Sequence, residues 1–313
     1  NGAGSLTATQ SFTIAVTNVN DAPVIDAQPF SAAENQTAVG TVVASDVDST
    51  TLTFSLVAVD DADSFEITNA GVLSFKTAPD FETKSSYTLK VQASDGALSA
   101  TATITVNVIN VNDAPVIDDQ TFSAAENQTA IGKVIAGDVD GDRLTYSLSD
   151  ASAQQFKIGE TLGLLSFITA PDFEGQSRYT VDVTVRDGAG ATDSATINVN
   201  VTNVNEAPVI TSTAVTAVNE DAAYSYTVAA SDTDVGNTLT LAATTKPTWL
   251  NFDAATGALT GTPTNTDVGS HNVVITATDN GAGSLSTTQS YTIAVANVND
   301  APVINAQTLS AAE

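Results

Sequence analysis

Residues 101–117 read TATITVNVINVNDAPVI. The first half alternates: Ala102, Ile104, Val106 and Val108 fall on one face, and Thr101, Thr103, Thr105 and Asn107 on the other. Period two in a segment rich in Thr, Val and Ile describes a half-buried antiparallel β-strand. The second half is a polar phrase, Asn-Val-Asn-Asp, closed by Ala-Pro. Proline fixes its own φ and pushes the residue before it towards extended backbone, so the phrase is a short, stiff connector.

The connector recurs as NVNDAPVI at 18–25 and 297–304 and as NVNEAPVI at 203–210, with its proline at Pro23, Pro115, Pro208 and Pro302, spaced by 92, 93 and 94 residues. A second landmark, Glu34, Glu126, Glu220 and Glu313, is spaced by 92, 94 and 93. Repetition at fixed spacing outranks length as a guide to architecture. The expected organisation is the end of a repeat at 1–22, full repeats at 23–114, 115–207 and 208–301, and the start of another at 302–313. Residues 1–34 match residues 280–313 at 27 of 34 positions, so the chain reads as an excerpt of a longer array.

Other segments repeat the strand pattern. SATINVNVTNV (194–204) turns Ile197, Val199 and Val201 inward, while YTLKVQASDG (87–96) and YTVDVTVRDG (179–188) each supply a strand that ends at Asp-Gly. About seven short strands per repeat with no helical period predict an all-β fold, a series of tandem Greek-key β-sandwich domains. A domain of this size buries roughly 60–65% of its unfolded surface, so each repeat folds with modest stability. Cysteine is absent, which excludes disulfide staples and thiolate metal sites. No apolar run reaches the ~18 residues of a membrane span.

Acids outnumber bases 36 to 9, for a net charge of −27. Nucleic acid and anionic membrane surfaces are excluded as partners, since both are bound by clustered Lys and Arg. The 42% hydrophobic content argues against disorder, leaving solvation or cation binding. Position decides between them. Repeat one carries Glu34 in SAAEN, Asp46 and Asp48 in SDVDS, Asp80 and Glu82 in APDFE, Asp95 in ASDG and Asp113 in NVND. Repeat two copies them as Glu126, Asp138 and Asp140, Asp172 and Glu174, Asp187 and Glu206. Solvating charge belongs on outer strand faces; these acids sit at strand ends and turns, where DxD and DxE aim two carboxylates to one side of an extended segment.

The order xEN, DxD, D-aromatic-E, AxDG and NxND ahead of Ala-Pro resembles the cadherin repeat, in particular the bacterial cadherin-like tandem repeats of large surface adhesins of the RTX, type I-secreted kind. The resemblance covers residues 23–207, with five motifs in order, twice. The third repeat keeps Glu220, Asp232 and Asp234, Asp279 and NVND but lacks D-aromatic-E. Its PTWLNFDAATGALTGTPTNTDVG resembles the dystroglycan-type cadherin-like, or "putative Ig", repeat, with Asp267 the candidate to replace the missing acids.

The resemblance implies calcium between successive domains of a linear rod. One joint would gather Glu34, Asp80, Glu82, Asn110, Asn112 and Asp113 with Asp138, Asp140 and Asp187; the next, Glu126, Asp172, Glu174, Asn203, Asn205 and Glu206 with Asp232, Asp234 and Asp279. The flanking joints would use Asn18, Asn20, Asp21, Asp46, Asp48 and Asp95, and Glu220, Asp267, Asn297, Asn299 and Asp300. Asn18, Asn110, Asn203 and Asn297 stand where the family carries an Asp, in a shortened linker, so two to three ions are expected at each of the two intact joints and fewer after repeat three. The chemistry agrees: Ca²⁺ takes six to eight oxygen ligands, and no His or Cys cluster offers a softer site. Each intact joint holds seven carboxylates, which repel at about 1 kcal/mol per pair at 4 Å in water and several-fold more when drier.

His271 reads as a surface residue, Trp249 as an end-plug of the third core, and the sequons at Asn35 and Asn127 as turns. Asp60, Asp61 and Asp63 read as a solvated acidic loop. With no nucleophile–base pair, the chain is expected not to be an enzyme but a calcium-stiffened extender of an extracellular bacterial adhesin, serving adhesion or biofilm. Its partners would be the adjacent repeats through calcium, with lateral or homophilic self-association also open. The alternative is repeats that themselves bind carbohydrate or form filaments or cell–cell contacts.

Overall fold

A computed structural model describes Gly4 and residues 7–304. The landmark Glu313 and most of the last partial repeat lie outside the described residues.

Repeat one contains seven strands: β1 (Pro29–Ala33), β2 (Ala38–Thr41), β3 (Thr53–Val57), β4 (Phe65–Ile67), β5 (Val72–Phe75), β6 (Ser86–Ser94) and β7 (Ser99–Ile109). They form two sheets, ordered β1-β7-β6-β3 and β2-β5-β4. Repeat two duplicates them as β8 (Gln120–Ala125), β9 (Ala130–Lys133), β10 (Thr145–Leu148), β11 (Phe156–Ile158), β12 (Leu164–Phe167), β13 (Arg178–Arg186) and β14 (Thr192–Thr202). Its sheets run β10-β13-β14-β8 and β11-β12-β9. Repeat three has nine strands, of which β15 and β18 form a short extra pair: β15 (Val209–Ile210), β16 (Ala217–Asn219), β17 (Tyr224–Thr227), β18 (Ala230–Ser231), β19 (Thr240–Thr245), β20 (Leu250–Asp253), β21 (Ala258–Gly261), β22 (Gly269–Thr278) and β23 (Ser286–Ala296).

The alternation read in the sequence sets the core. Ile104 and Val106 are fully buried on β7, as are Ile197 and Val199 on β14, each burial worth roughly 1.5–3 kcal/mol. Beside them an aromatic trio recurs. Phe65, Phe75 and Tyr87 have ring centroids 4.3–5.6 Å apart, and Phe156, Phe167 and Tyr179 have theirs 5.0–6.0 Å apart. Repeat three keeps the plan with other rings, Trp249 meeting Tyr224 edge-on at 5.9 Å against the buried Leu250, Leu259 and Ile275. Gly71 and its counterparts Gly163 and Gly257 all have positive φ, and a Cβ there would meet a carbonyl oxygen of the facing strand at 2.6–2.8 Å.

Three expectations are corrected. β7 is antiparallel to β6 but parallel to β1, and β14 to β8, so the sheets are mixed; residue alternation carries no information about the direction of a neighbour. The DxD segments are turns, not extended strands: the Asp46 carboxylate accepts the N–H groups of Asp48 (2.7 Å) and Ser49 (2.8 Å). Asp61 is not mere solvated charge. It accepts from Lys84 Nζ at 2.5 Å and from the Thr88 N–H at 2.9 Å, and the lysine bond holds its carboxyl below the usual range.

Candidate metal centre

The chain divides into two compact units: residues 1–115 with 137–144 and 186–192, and residues 116–136, 145–185 and 193–313. The DxD and AxDG loops of repeat two thus pack with repeat one, and each of the two intact joints lies inside one unit.

Glu34 anchors the first. It follows β1, is 1% exposed, and its two oxygens accept the backbone N–H groups of Phe81 and Val111, both at 2.7 Å. Its own N–H donates to the Ile109 carbonyl at the end of β7. Asn35 then takes a left-handed conformation (φ 59°) with its N–H on the Pro79 carbonyl. One glutamate therefore fastens the D-aromatic-E loop and the connector to the same sheet end. The carboxylates of Glu34, Asp80 and Glu82 converge, with one oxygen from each lying within 4.8 Å of the others.

The connector supplies the bridge. Asn110 Nδ2 donates to Glu82 Oε1 (2.7 Å) and Asp140 Oδ1 (2.8 Å); Asn112 Nδ2 donates to Asp187 Oδ2 (2.8 Å); the Asp113 N–H donates to Asp140 Oδ2 (2.7 Å). Asp138, in the same loop as Asp140, buries an oxygen, Oδ2, that has no hydrogen-bond partner within the protein.

The second centre is a near copy. Glu126, 1% exposed, accepts from the N–H groups of Phe173 (2.8 Å) and Val204 (2.7 Å) and converges with Asp172 and Glu174. Asn203 bridges Glu174 (2.9 Å) and Asp234 (2.7 Å), Asn205 donates to Asp279 (3.1 Å), and the Glu206 N–H donates to Asp234 (2.8 Å). Glu174 Oε2, Glu206 Oε2 and Asp232 Oδ2 are buried without partners.

Electrostatics follow the geometry. Burial, then the charges of Glu34, Asp140 and Asp80, raises the Glu82 carboxyl above its usual range; burial, Glu126, Asp234 and Asp172 do the same to Glu174. Glu206 is likewise raised, first by burial. Asp187 is lowered, first by the Asn112 amide. Asparagine N–H groups thus hold some carboxylates, while others carry uncompensated charge and buried, unpartnered oxygens. An all-oxygen donor set with that deficit fits a hard divalent cation.

The flanking joints each keep part of the pattern. At the first, Asn18 and the Asp21 N–H meet Asp48 (2.6 and 2.7 Å), Asn20 meets Asp95 (2.7 Å), and Asp46 Oδ2 is buried without a partner. At the last, Glu220 accepts the Val298 N–H at 2.5 Å, but its Oε2 is buried and unpartnered because no loop N–H stands where Phe81 and Phe173 do. Asp267 is committed elsewhere: its Oδ2 accepts from the N–H (2.9 Å) and hydroxyl (2.8 Å) of Thr264, capping the turn Asn265–Asp267. Asn265 donates to Asp300 (3.2 Å), and neither Asn297 nor Asn299 makes a side-chain hydrogen bond within the described residues. Asn35 and Asn127, read in the sequence only as turns, also donate to Asp113 (3.1 Å) and Glu206 (2.5 Å); their constant place after the glutamate was the available signal. His271 is half-buried, its Nε2 2.6 Å from the Asp267 carbonyl.

Comparison with known proteins places these centres in context. The family profile described as "Bacterial Ig domain" matches residues 20–107 and 112–200, and the one described as "Putative Ig domain" matches 207–296. The human cadherin EGF LAG seven-pass G-type receptor 2 is 30% identical over 226 residues, covering 66% of this chain and 8% of the receptor. Human protocadherin Fat 1 is 31% identical over 256 residues, covering 72% of this chain and 6% of that protein. The chain spans less than a tenth of the length of these curated relatives. Among solved structures, the protocadherin γB4 extracellular domain aligns over 90% of this chain and half of its own, at 25% identity and a TM-score of 0.56. Mouse cadherin-23 domains EC22–24 align over 90% of this chain and all of their own, at 22% identity and 0.53. The repeats are thus Ig/cadherin-like in fold, and no described helix is long and apolar enough to cross a membrane.

Proposed function

The chain belongs to the bacterial Ig domain family, and on that premise we propose that it is a calcium-stiffened extender of a large extracellular bacterial adhesin of the type I-secreted kind, spacing a binding domain from the cell in adhesion or biofilm. One observation carries the reading. Two glutamates, Glu34 and Glu126, each fasten a connector to a D-aromatic-E loop, converge with two further acids, and face amide-bridged aspartates of the following repeat's loops.

Two to three Ca²⁺ ions at each intact joint would offset most of the seven negative charges and satisfy the stranded oxygens, joining consecutive repeats into a rod. Asn110, Asn112 and Asp113, with Asn203, Asn205 and Glu206, lie between the acids of successive repeats and are the central ligands. The joint after repeat three is expected to hold fewer ions, because Asp267 is spent on Thr264 and the D-aromatic-E acids are missing. The chain has no enzymatic role in this account; adjacent repeats are its partners. Calorimetric titration with calcium tests the reading: four to six ions for the two intact joints support it, and no saturable binding refutes it.

A further inference from the structure

We propose that repeat two carries, at the Arg178 end of its β13–β14 sheet, a binding groove for carboxylate-bearing carbohydrate, a class typified by uronate-containing polysaccharides. The groove adjoins the D-aromatic-E loop of the second joint, but Asp172 and Glu174 are not among its lining residues.

Two adjoining cavities of about 480 and 230 Å³ share Gln155, Gln176 and Tyr179 and form one open groove. Their combined size falls in the range of sites that hold small ligands. Asn198 and Asn200 of β14 and Arg178 of β13 line its other side. Within the described residues, the Asn198 and Asn200 amides, the Arg178 guanidinium and the Tyr179 hydroxyl make no hydrogen bond to the protein. The groove thus presents unspent donors and acceptors in the pattern that ring hydroxyls require.

Charge identifies the ligand more closely. In a chain with 36 acids and 9 bases, no carboxylate lines this groove and its one charge is Arg178. A guanidinium fork unpaired by protein is suited to a ligand carboxylate, which it can bind through two parallel hydrogen bonds.

Repeat one serves as an internal comparison. Its cavity at the place of the smaller one is lined by Asp63, Lys76, Asp80 and Tyr87, and it satisfies itself. Lys76 donates to the Asp63 carbonyl at 2.9 Å, while Lys84 is paired with Asp61 and lies 4.5 Å from the Tyr87 ring centroid. Repeat two has Ile168 for Lys76 and Gln176 for Lys84, and no cation lies over Tyr179 within the described residues. In two near-duplicate sandwiches the groove is self-paired in one and open in the other.

The test uses the whole chain at fixed calcium, titrated by calorimetry with a hyaluronan hexasaccharide, with chitohexaose as the neutral control and oligoglutamate as the non-sugar carboxylate. Saturable binding of the hexasaccharide is expected, weakened at least about tenfold by Arg178→Ala, as befits hydrogen bonds to a charged group. Asn200→Asp, which adds a carboxylate to the groove, should weaken binding in the same direction, and an unchanged melting transition excludes misfolding in either variant. Absence of binding at millimolar ligand, equal binding of chitohexaose untouched by Arg178→Ala, or equal binding of oligoglutamate would each overturn the proposal.

Discussion

Glu174→Gln should stabilise the ion-free chain and lose that gain in calcium, and the structure says by how much. Glu174 lies within 4.8 Å of both Glu126 and Asp172, and its carboxyl is raised by burial and by those charges. At that separation each like-charge pair costs ~1 kcal/mol in water and more where water is partly excluded. Neutralising Glu174 removes two such pairs while its Oε1 can still accept from Asn203. An amide nitrogen at Oε2, an atom now buried without a partner, becomes a donor among carboxylates. Without calcium the variant should therefore melt higher, by about 1–2 kcal/mol. With calcium it has lost a charged ligand, and affinity should fall about tenfold or more, for which 1.4 kcal/mol suffices. Its stabilisation by calcium shrinks accordingly, since that gain scales with ln(1 + [Ca²⁺]/Kd). Differential scanning calorimetry in chelator and in millimolar calcium reads both arms. An equal gain in both conditions would refute the claim that these acids are held apart for a cation.

Further expectations rest on other residues. Lowering the pH should weaken calcium binding at the second joint before ordinary carboxylates titrate, because Glu174 and Glu206 have raised pKa values and must lose protons to bind the ion. Raised folded pKa values also mean that the ion-free state gains stability from these two groups as pH falls through them, from neutrality towards the usual value of 4.5; calcium-free melting against pH checks the sign. Gly281→Ala should impair the second joint without harming the core, because a Cβ would fall on Asn205 Oδ1, and calcium titration with near-native circular dichroism would show it. Lys84→Ala should lower the stability of repeat one by ~1 kcal/mol, a modest figure because the Lys84–Asp61 pair is partly exposed, and equilibrium denaturation measures it.

Much of this was legible because near-duplicate repeats mark their own constant features. The alternation of Ile104 and Val106, the recurring glutamate and the NVND connector pointed to sandwich domains and to acids at their ends, as found. What the sequence concealed was the use made of each oxygen. Glu34 and Glu126 spend both carboxylate oxygens on backbone N–H groups, a role that depends on which loop lies over the sheet end. Asp61 looked like one of a run of exposed acids because Lys84 lies 23 positions away. Asp267 looked like a spare ligand because local capping by Thr264 leaves little mark on composition. The parallel pairing of β1 with β7 was invisible for a different reason, since period two names the buried face and not the partner.

Small-angle scattering of the chain in calcium and then in chelator tests the central claim most directly. The account predicts an elongated particle of defined maximum dimension in calcium that becomes shorter on average and flexible when the ion is removed. Superimposable profiles in the two conditions would contradict it.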